Sequence, residues 1–462
     1  MKQSTNILLI LMKKNNIIFK RFLPLIVFFA IALATVAQQV GSNSPYGRYG
    51  YGLLSNQSFG ASEAMGGISY GLRRSQQVNP GNPASYSKLD SLTFIFDLGI
   101  SGHYASFSDG LHKQHFYNGN LEYIAMQFPI FRKVGASIGL LPYSKVGYNY
   151  GQTRSLSDIV YEEVFRGTGG LSQIYGGIAY EPIKYFSVGA NVSYLFGNFN
   201  YSSVSVPRTA TGSTVGEEKK KYSIRDLKYD FGAQVTFPIN KASSFTLGAV
   251  YSPKVNSKTD VYATEMMFLS DPYSSPYQTP SEILRDDTLS NQQFQLPNTY
   301  GLGVTYSNTN LLLGVDGTYQ QWSGLDYPDV LDGLTTQNRF NNTYRISAGA
   351  EYVIDPYSRN FFTRVRFRAG ISYGNSYTNV NVYNPSDNNK NLGVGGFKEY
   401  GINIGLGLPF RDSLSGRLSM LNIGFGYTTQ RPDLQYMIKQ DMFKISLNMN
   451  INEFWFFKRQ FN

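Results

Sequence analysis

The sequence predicts an all-β fold, a closed antiparallel transmembrane β-barrel of about 14 strands. Three observations predict it: the composition, a period-two alternation of apolar and polar residues, and a regular succession of short turns and long polar segments. Charged residues make up only 16% of the chain and aromatic residues 15%, and 46 residues are glycine. Tyr and Phe favour pleated strands and Gly weakens helices, so this mixture favours sheet over helix.

The N-terminus has the pattern of a secretory signal peptide. Four basic residues between positions 13 and 21 precede an apolar run over residues 22–37, which ends in small residues at Ala37. The run has 16 residues, fewer than the about 20 that a membrane-spanning helix needs. We therefore expect residues 1–37 to be removed after export. Both Met1 and Met12 are candidate start sites.

Charge and cysteine content exclude several classes of function. The chain has a net charge of +10, and the five basic residues of the signal peptide leave +5 on the mature chain. This mild excess in an exported protein does not support a nucleic-acid partner. The absence of cysteine excludes disulfides, thiol catalysis and Cys-based zinc sites. No further run of about 20 apolar residues follows the signal peptide, so helical membrane spans are not expected.

Period-two alternation indicates strands with one apolar and one polar face. The stretch MFKISLNMNIN (442–452) places its large apolar residues on one face and Lys, Ser and Asn on the other. The stretch YGINIGLGL (400–408) sets its aromatic and aliphatic residues against Gly and Asn. Many such stretches have 9 to 12 residues, the length with which a tilted strand crosses a bilayer. Strands of soluble sandwiches are shorter, at about 5–6 residues.

The connections predict how many strands there are. Short corners recur about every 55 residues, and long polar segments lie between them. Six turns and seven long segments join 14 strands, with the turns and both termini in the periplasm and long loops outside the cell. The turns lie at Pro129, Pro182, Pro238, 307–310, Pro356 and Pro409, and the polar segments at 105–117, 153–170, 201–225, 257–296, 323–341, 377–396 and 431–441.

Two motifs before the first strand resemble a known family. ASEAMGG runs from Ala61 to Gly67, and NPAS runs from Asn82 to Ser85. With the strand count and the signal peptide, they resemble the FadL-type outer-membrane transporters of fatty acids and other hydrophobic compounds. The resemblance implies a signal peptide at 1–37, a lumenal hatch at 38–91 and a barrel at 92–462. Its implied hatch residues are Met65, Gly66, Gly67, Asn79, Pro80, Asn82, Pro83 and Ala84.

The stretch VNPGNPASYS (78–87) is irregular by its chemistry. Pro80 and Pro83 lack backbone donors and push the preceding Asn residues toward extended conformations, so a regular helix cannot form there and a central strand is disfavoured. Non-helical backbone at membrane depth is tolerated where it is buried in protein or faces water. A stiff lumenal plug therefore fits the stretch. The alternative is an ordinary periplasmic lead-in to the first strand.

A charged strand is the main candidate for a lumenal site. In TRVRFRAGISY, Arg364, Arg366 and Arg368 share the face opposite the apolar residues. We expect them in the lumen, since an arginine facing lipid at the midplane costs about 2–4 kcal/mol. They could form a track for carboxylates, or pair with the hatch or a neighbouring strand. Counting across the Pro356 turn places Glu351 nearly opposite Arg364 and favours pairing.

The remaining polar clusters predict no enzyme. His103, His112 and His115 lie within 13 residues, but no second ligand cluster or nucleophile accompanies them, so we expect no catalytic site, no metal and no cofactor. The charge run GEEKKKY (216–222) is expected in a solvated loop, and Gly401, Gly405 and Gly407 face the lumen, where they relieve crowding or let the hatch approach.

Two functions remain open at this stage. The resemblance implies an outer-membrane protein for passive uptake of hydrophobic or amphipathic small molecules. The alternative is a non-transporting scaffold or accessory barrel in an outer-membrane assembly or secretion complex, because some FadL-like barrels serve as partners. The expected partners are outer-membrane lipids, a hydrophobic ligand and proteins of such a complex.

Overall fold

The structure is a computed structural model. It describes residues 43–90, 92–110, 112–156, 159–208, 214–272, 278–327, 339–384, 390–411 and 417–454. The expected signal peptide lies outside these residues. Among the helices of the described part, none has the length and hydropathy that crossing a membrane requires.

The described chain consists almost entirely of strands. Four short 3₁₀ helices accompany them, at Pro45–Arg48, Glu63–Met65, Pro83–Lys88 and Phe362–Arg364. The strands are β1 (Leu53–Leu54), β2 (Thr93–Ser108), β3 (Lys113–Phe131), β4 (Val134–Leu156), β5 (Ile159–Ile183), β6 (Phe186–Pro207), β7 (Val215–Pro238), β8 (Ser244–Ser252), β9 (Val255–Phe268), β10 (Glu282–Leu296), β11 (Thr299–Ser307), β12 (Leu311–Gln320), β13 (Thr343–Val353), β14 (Arg366–Asn375), β15 (Val380–Asn384), β16 (Lys390–Gly395), β17 (Phe397–Arg411), β18 (Leu418–Pro432) and β19 (Lys439–Phe454).

The wall closes into an antiparallel barrel, as the sequence predicts. The last strand, β19, pairs with β2, the first strand of the wall, from Lys439 opposite Ser108 to Phe454 opposite Thr93. Two wall strands are interrupted, β8/β9 at Pro253 and β10/β11 at Pro297, where proline provides no ladder donor. With each interrupted pair counted once, the described wall has 14 strands.

The two ends of the barrel differ. Six connections, after β3, β5, β7, β11, β13 and β17, lie at one end, which we call the short-turn end. The other seven lie at the opposite end, which we call the long-hairpin end. This confirms the predicted succession of turns and longer segments.

Several segments expected to be loops are strands instead. Residues 201–225 and 257–296 lie largely in β6, β7, β9 and β10, and the charge run 216–222 is part of β7. Strands β4 to β7 have 22 to 25 residues, whereas β12 to β14 have 10 or 11. A crossing strand needs about 9–11 residues, so one side of the wall extends well past a bilayer. The expectation that these segments are loops is therefore wrong.

The outer surface of the wall is apolar. Ile402, Ile404, Ile445 and Leu447 are exposed, while their neighbours on the opposite strand face, such as Asn448, are buried. The polar face therefore points inward, as the alternation predicts. Such an apolar outer surface with a polar interior matches a membrane barrel.

The interior is occupied by residues 43–90, which we call the N-terminal segment. It begins at the long-hairpin end, where Ser44 bonds the side chain of Gln440, and enters β2 at the short-turn end. The last described strand also ends at the short-turn end, at Phe454. The described N-terminal segment therefore runs the length of the lumen, and the two chain termini, which were expected in the periplasm, lie outside the described residues.

Candidate functional site

Glycines of the wall receive the backbone of the N-terminal segment. A Cβ added at Gly349 or Gly370 would collide with the backbone of Met65, and at Gly370 also with that of Gly66. Gly66 itself has a φ of 72° and a Cβ there would lie 2.6 Å from the carbonyl oxygen of Ile371. Small residues on both sides thus permit direct contact between segment and wall. Gly67, with a φ of 92°, completes this turn.

The two Asn-Pro corners form a compact hydrogen-bonded unit. The Asn79 side chain donates to the carbonyl oxygens of Ser69 (2.7 Å) and Leu72 (3.0 Å). The Asn82 side chain accepts from the backbone N–H of Ala84 at 3.1 Å and so caps the 3₁₀ helix that begins at Pro83. Both asparagines are buried.

Wall residues also bind this unit. Asn191 donates to the carbonyl oxygen of Pro80 at 3.2 Å, and Gly189 and Gly232 lie against Pro83. The carboxylate of Asp316 accepts from the backbone N–H groups of Ser69 (2.5 Å) and Tyr70 (2.7 Å). The irregular stretch therefore contacts several strands inside the barrel and is not a free lead-in to β2.

Among the three glycines of β17 singled out from the sequence, one receives the segment. A Cβ at Gly405 would meet Ala64 at 2.6 Å. Gly407 leaves room for the guanidinium of Arg368, and Gly401 for the hydroxyl of Ser372. Gly405 thus lets the N-terminal segment approach the wall, and Gly401 and Gly407 relieve crowding between wall side chains.

Arg74, Glu351, Arg366 and Arg368 form a charged group that we call the turn-end cluster. Glu351 accepts from Arg366 at 2.6 Å, from Arg368 at 2.7 Å and from Arg74 at 2.8 Å. Glu351 and Arg368 are each 2% exposed, and Arg368 also donates to Asn422 at 2.6 Å. Because Arg74 belongs to the N-terminal segment, the cluster joins the segment to β13 and β14.

Arg364 does not take the predicted place. The register sets Glu351 opposite Arg368, and Arg364 lies before β14 in the 3₁₀ helix Phe362–Arg364. The turn between β13 and β14 is longer than the sequence count assumed, which shifts the pairing by four residues. The expectation that Glu351 faces Arg364 is therefore wrong, and pairing involves the next two arginines.

A second charged group also joins the N-terminal segment to the wall. Lys444 contacts Glu63 of the segment and lies 3.3 Å from Glu122. Glu122 also lies 3.8 Å from Lys145 and 3.2 Å from His103. Two lysines and two glutamates balance in this group, so it binds the segment without excess charge.

Burial affects the basic residues of the segment itself. Arg73 lies 2.6 Å from Glu181, and the loss of hydration lowers the pKa of its guanidinium while Glu181 opposes this. Burial likewise lowers the pKa of Arg74, against the opposing effect of Glu351. Both residues remain cations at neutral pH, because the ordinary pKa of arginine is above about 12.

Aromatic side chains fill the long-hairpin end of the lumen. Tyr51 is fully buried and its ring lies 5.1 Å from Phe294 and 5.0 Å from Tyr327. Its hydroxyl donates to the carbonyl oxygen of Gln295 at 2.9 Å. We call this group the aromatic cap; it includes Tyr51, Phe199, Phe294, Trp322, Tyr327, Phe340 and Tyr377.

Cavities lie between the described residues of the lumen. One of about 380 Å³ lies between the aromatic cap and the rest of the segment, with Leu54, Tyr70 and Leu296 in its lining. Another, of about 260 Å³, adjoins the turn-end cluster, and we call it the turn-end cavity.

The three histidines do not form a site. His103 belongs to the Lys444 group, whereas His112 is 81% exposed and pairs with Asp109. His115 bonds Tyr104 on the exposed β2–β3 hairpin. Within the described residues no group of three or more His, Asp or Glu side chains could hold a metal ion.

Comparison with known proteins identifies the family. The sequence model of the BamG family matches residues 18–462. This chain belongs to the BamG family. No curated protein matches the BamG-family chain.

Solved structures show the same fold for this BamG-family barrel. A FadL homologue of Pseudomonas aeruginosa aligns with a TM-score of 0.58 at 14% identity, over 86% of this chain and 99% of its own. The P. putida toluene transporter TodX aligns with a TM-score of 0.54 at 15% identity, over 87% and 100%. The monoaromatic hydrocarbon channel CymD aligns with a TM-score of 0.53 at 13% identity, over 87% of this chain and 98% of its own. At these identities the likeness establishes the FadL-type barrel fold alone.

Sequence reasoning missed most of the wall residues that bind the segment. Asp316, Lys444 and Glu122 occupy inward positions of strands. A charged residue on the polar face of an alternating strand was therefore the sequence signal that could have identified them. The sequence around Arg73 and Arg74 contained no such signal, because nothing in an irregular stretch indicates which strand it will contact.

Proposed function

We propose that this chain is an outer-membrane accessory barrel that binds protein partners within an outer-membrane protein complex, and that it does not work as an open channel. The observation that carries the proposal is the filled lumen. Among the described residues, the N-terminal segment, the two charged groups and the aromatic cap extend through the interior from one end to the other, with cavities between them. The match to the BamG family fits an accessory role.

The extended side of the wall supplies a surface for a partner. Strand β9 has 14 residues beyond the interruption at Pro253, which corresponds to roughly 45 Å of strand at about 3.3 Å per residue. At its tip Leu269 is 80% exposed, and Ile283 and Leu284 are 58% and 53% exposed. Exposed apolar residues grouped beyond the membrane are typical of protein contact sites. In this proposal the short-turn end faces the periplasm and the tip lies outside the cell.

The test is co-purification of the full-length protein from native membranes in mild detergent, after chemical cross-linking. A partner protein in fixed stoichiometry is expected, and replacing Leu269, Ile283 and Leu284 by Ser should reduce its yield at least several-fold. Tyr117→Ser is the matched control, because Tyr117 is 77% exposed on the β2–β3 hairpin, away from the tip. Purification as a single chain, with no cross-linked partner, would contradict the proposal.

A second candidate is uptake of hydrophobic small molecules. The cavity of about 380 Å³ favours it, since it is of the size that holds a small ligand and its lining includes apolar side chains. The FadL-type fold is shared with hydrocarbon channels. Vesicles containing the purified protein would then take up toluene faster than protein-free vesicles. Equal rates, together with a stable partner, would leave the accessory role as the better account.

A further inference from the structure

The turn-end cavity has an unbalanced charge. Its titratable lining consists, among the described residues, of Arg74, Arg366 and Arg368 against Glu351 and Asp97. Three cations therefore face two carboxylates, and one positive charge is left over even if both carboxylates are ionised. A buried charge without a counter-charge is costly, so a single anion would stabilise this arrangement.

Two of the arginines have donors to spare. A guanidinium carries five N–H donors. Among the described residues, Arg74 and Arg366 each make one polar contact, and both contacts are to the same oxygen of Glu351. Their side chains are 26% and 20% exposed beside the cavity. Arg368 differs, because it is 2% exposed and donates to both Glu351 and Asn422. Arg74 and Arg366 are thus placed to bind a ligand, and Arg368 to position Glu351.

The carboxylate of Asp97, the second one in the lining, does not neutralise Arg74 or Arg366. One oxygen of Asp97 accepts from the hydroxyl of Tyr123 at 2.9 Å, and the other accepts from the side chain of Asn450 at 3.0 Å. The amides of Gln77 and Asn310 also line the cavity, but they already donate to Ser62 (2.8 Å) and to the carbonyl oxygens of Val353 (3.0 Å) and Ile354 (2.7 Å). The two guanidiniums are therefore the donors left for a ligand, and guanidiniums form the short charge-assisted hydrogen bonds that oxyanions accept.

We propose that the turn-end cavity binds one oxyanion of the phosphate type, held by Arg74 and Arg366. The volume of about 260 Å³ accepts a phosphate group, either as a free ion or as the head group of a lipid whose chains remain outside the cavity. Because Arg74 lies on the N-terminal segment and Arg366 on β14, the anion would bridge the segment and the wall. This site does not depend on the proposed partner binding.

The test uses the full-length protein in a neutral detergent and a phosphate-free buffer, titrated by calorimetry with inorganic phosphate and, in a second arm, with a short-chain phosphatidic acid. Saturable binding of one equivalent is expected in at least one arm. Binding of phosphate identifies a free ion, and binding of phosphatidic acid alone identifies a lipid head group. Arg366→Gln and Arg74→Gln should each weaken binding about tenfold or more, which corresponds to about 1.4 kcal/mol.

The matched control is Arg345→Gln. Arg345 also points into the lumen and also pairs with a glutamate, Glu399 at 3.1 Å, but it does not line the turn-end cavity. Its replacement should leave the affinity unchanged. The proposal is overturned if neither compound binds, or if both cavity variants bind as tightly as the parent. Two separate single variants are used so that a folding defect in one does not decide the outcome.

Discussion

At the scale of single residues, Glu351 shows how a lumenal charge stabilises the fold. Its carboxylate contacts Arg74, Arg366 and Arg368, which come from the segment and from one wall strand. Breaking a buried ion pair costs more than the pair itself contributes, because the remaining partner loses both water and counter-charge. The side chain of Glu351 is 2% exposed, so its ion pairs are buried ones. Surface ion pairs contribute much less to stability.

Replacing Glu351 by Gln should therefore lower the free energy of unfolding by about 3 kcal/mol, measured by guanidinium titration of the protein in lipid vesicles. Glu399→Gln is the control; its pair with Arg345 is 25% and 37% exposed, and its loss should cost less than about 1 kcal/mol. Adding Arg368→Gln to Glu351→Gln should cost less than the two single losses together. If the loss in the double variant equals the sum of the two single losses to within about 0.5 kcal/mol, Glu351 and Arg368 are not coupled.

Wall glycines make a second prediction at this scale. Gly370→Ala places a methyl group against the backbone of Met65 and Gly66, so the segment must move away from the wall. We expect a loss of about 1–3 kcal/mol and faster tryptic cleavage at Arg73 and Arg74. Gly317→Ala is the control, because its Cβ would meet nothing within 4 Å. Equal cleavage rates in the two variants would mean that Gly370 is not needed for the contact.

At the scale of elements, the strands that cross the bilayer could be predicted and those beyond it could not. Within the membrane one strand face meets lipid and the other the lumen, so alternation appears in stretches such as 400–408 and 442–452. Beyond it both faces contact water or protein, and the run 216–222 lost the pattern although it lies in β7. The N-terminal segment was recognisable from its prolines and its resemblance. Its contacts were not, because they depend on the register of strands distant in sequence.

The orientation of the barrel gives a prediction for its connections. The chain has no cysteine, so a single introduced thiol reports its own position without ambiguity. Ser270→Cys, at the long-hairpin end, should react with a membrane-impermeant maleimide on intact cells. Lys241→Cys, in the turn between β7 and β8, should react only after the outer membrane is opened. The reverse pattern would place the short-turn end outside the cell.

At the scale of the whole molecule, the structure combines a closed wall with an interior filled by its own N-terminal residues. A barrel of this width leaves an aqueous lumen unless something occupies it. Here the occupant is bound by close backbone contacts, by two charged groups and by aromatic packing. The central claim is that these residues, and not the wall, keep the lumen closed.

The most direct measurement is the conductance of a variant that lacks residues 38–88, in planar bilayers and beside the full-length protein. The wall strands are intact in this variant, and heat-modified mobility on gels checks that it has folded. The account predicts a stable open pore, with a conductance higher than that of the parent by roughly an order of magnitude. A folded deletion variant that conducts no more than the full-length protein would contradict it, because the lumen would then be closed by something other than the N-terminal segment.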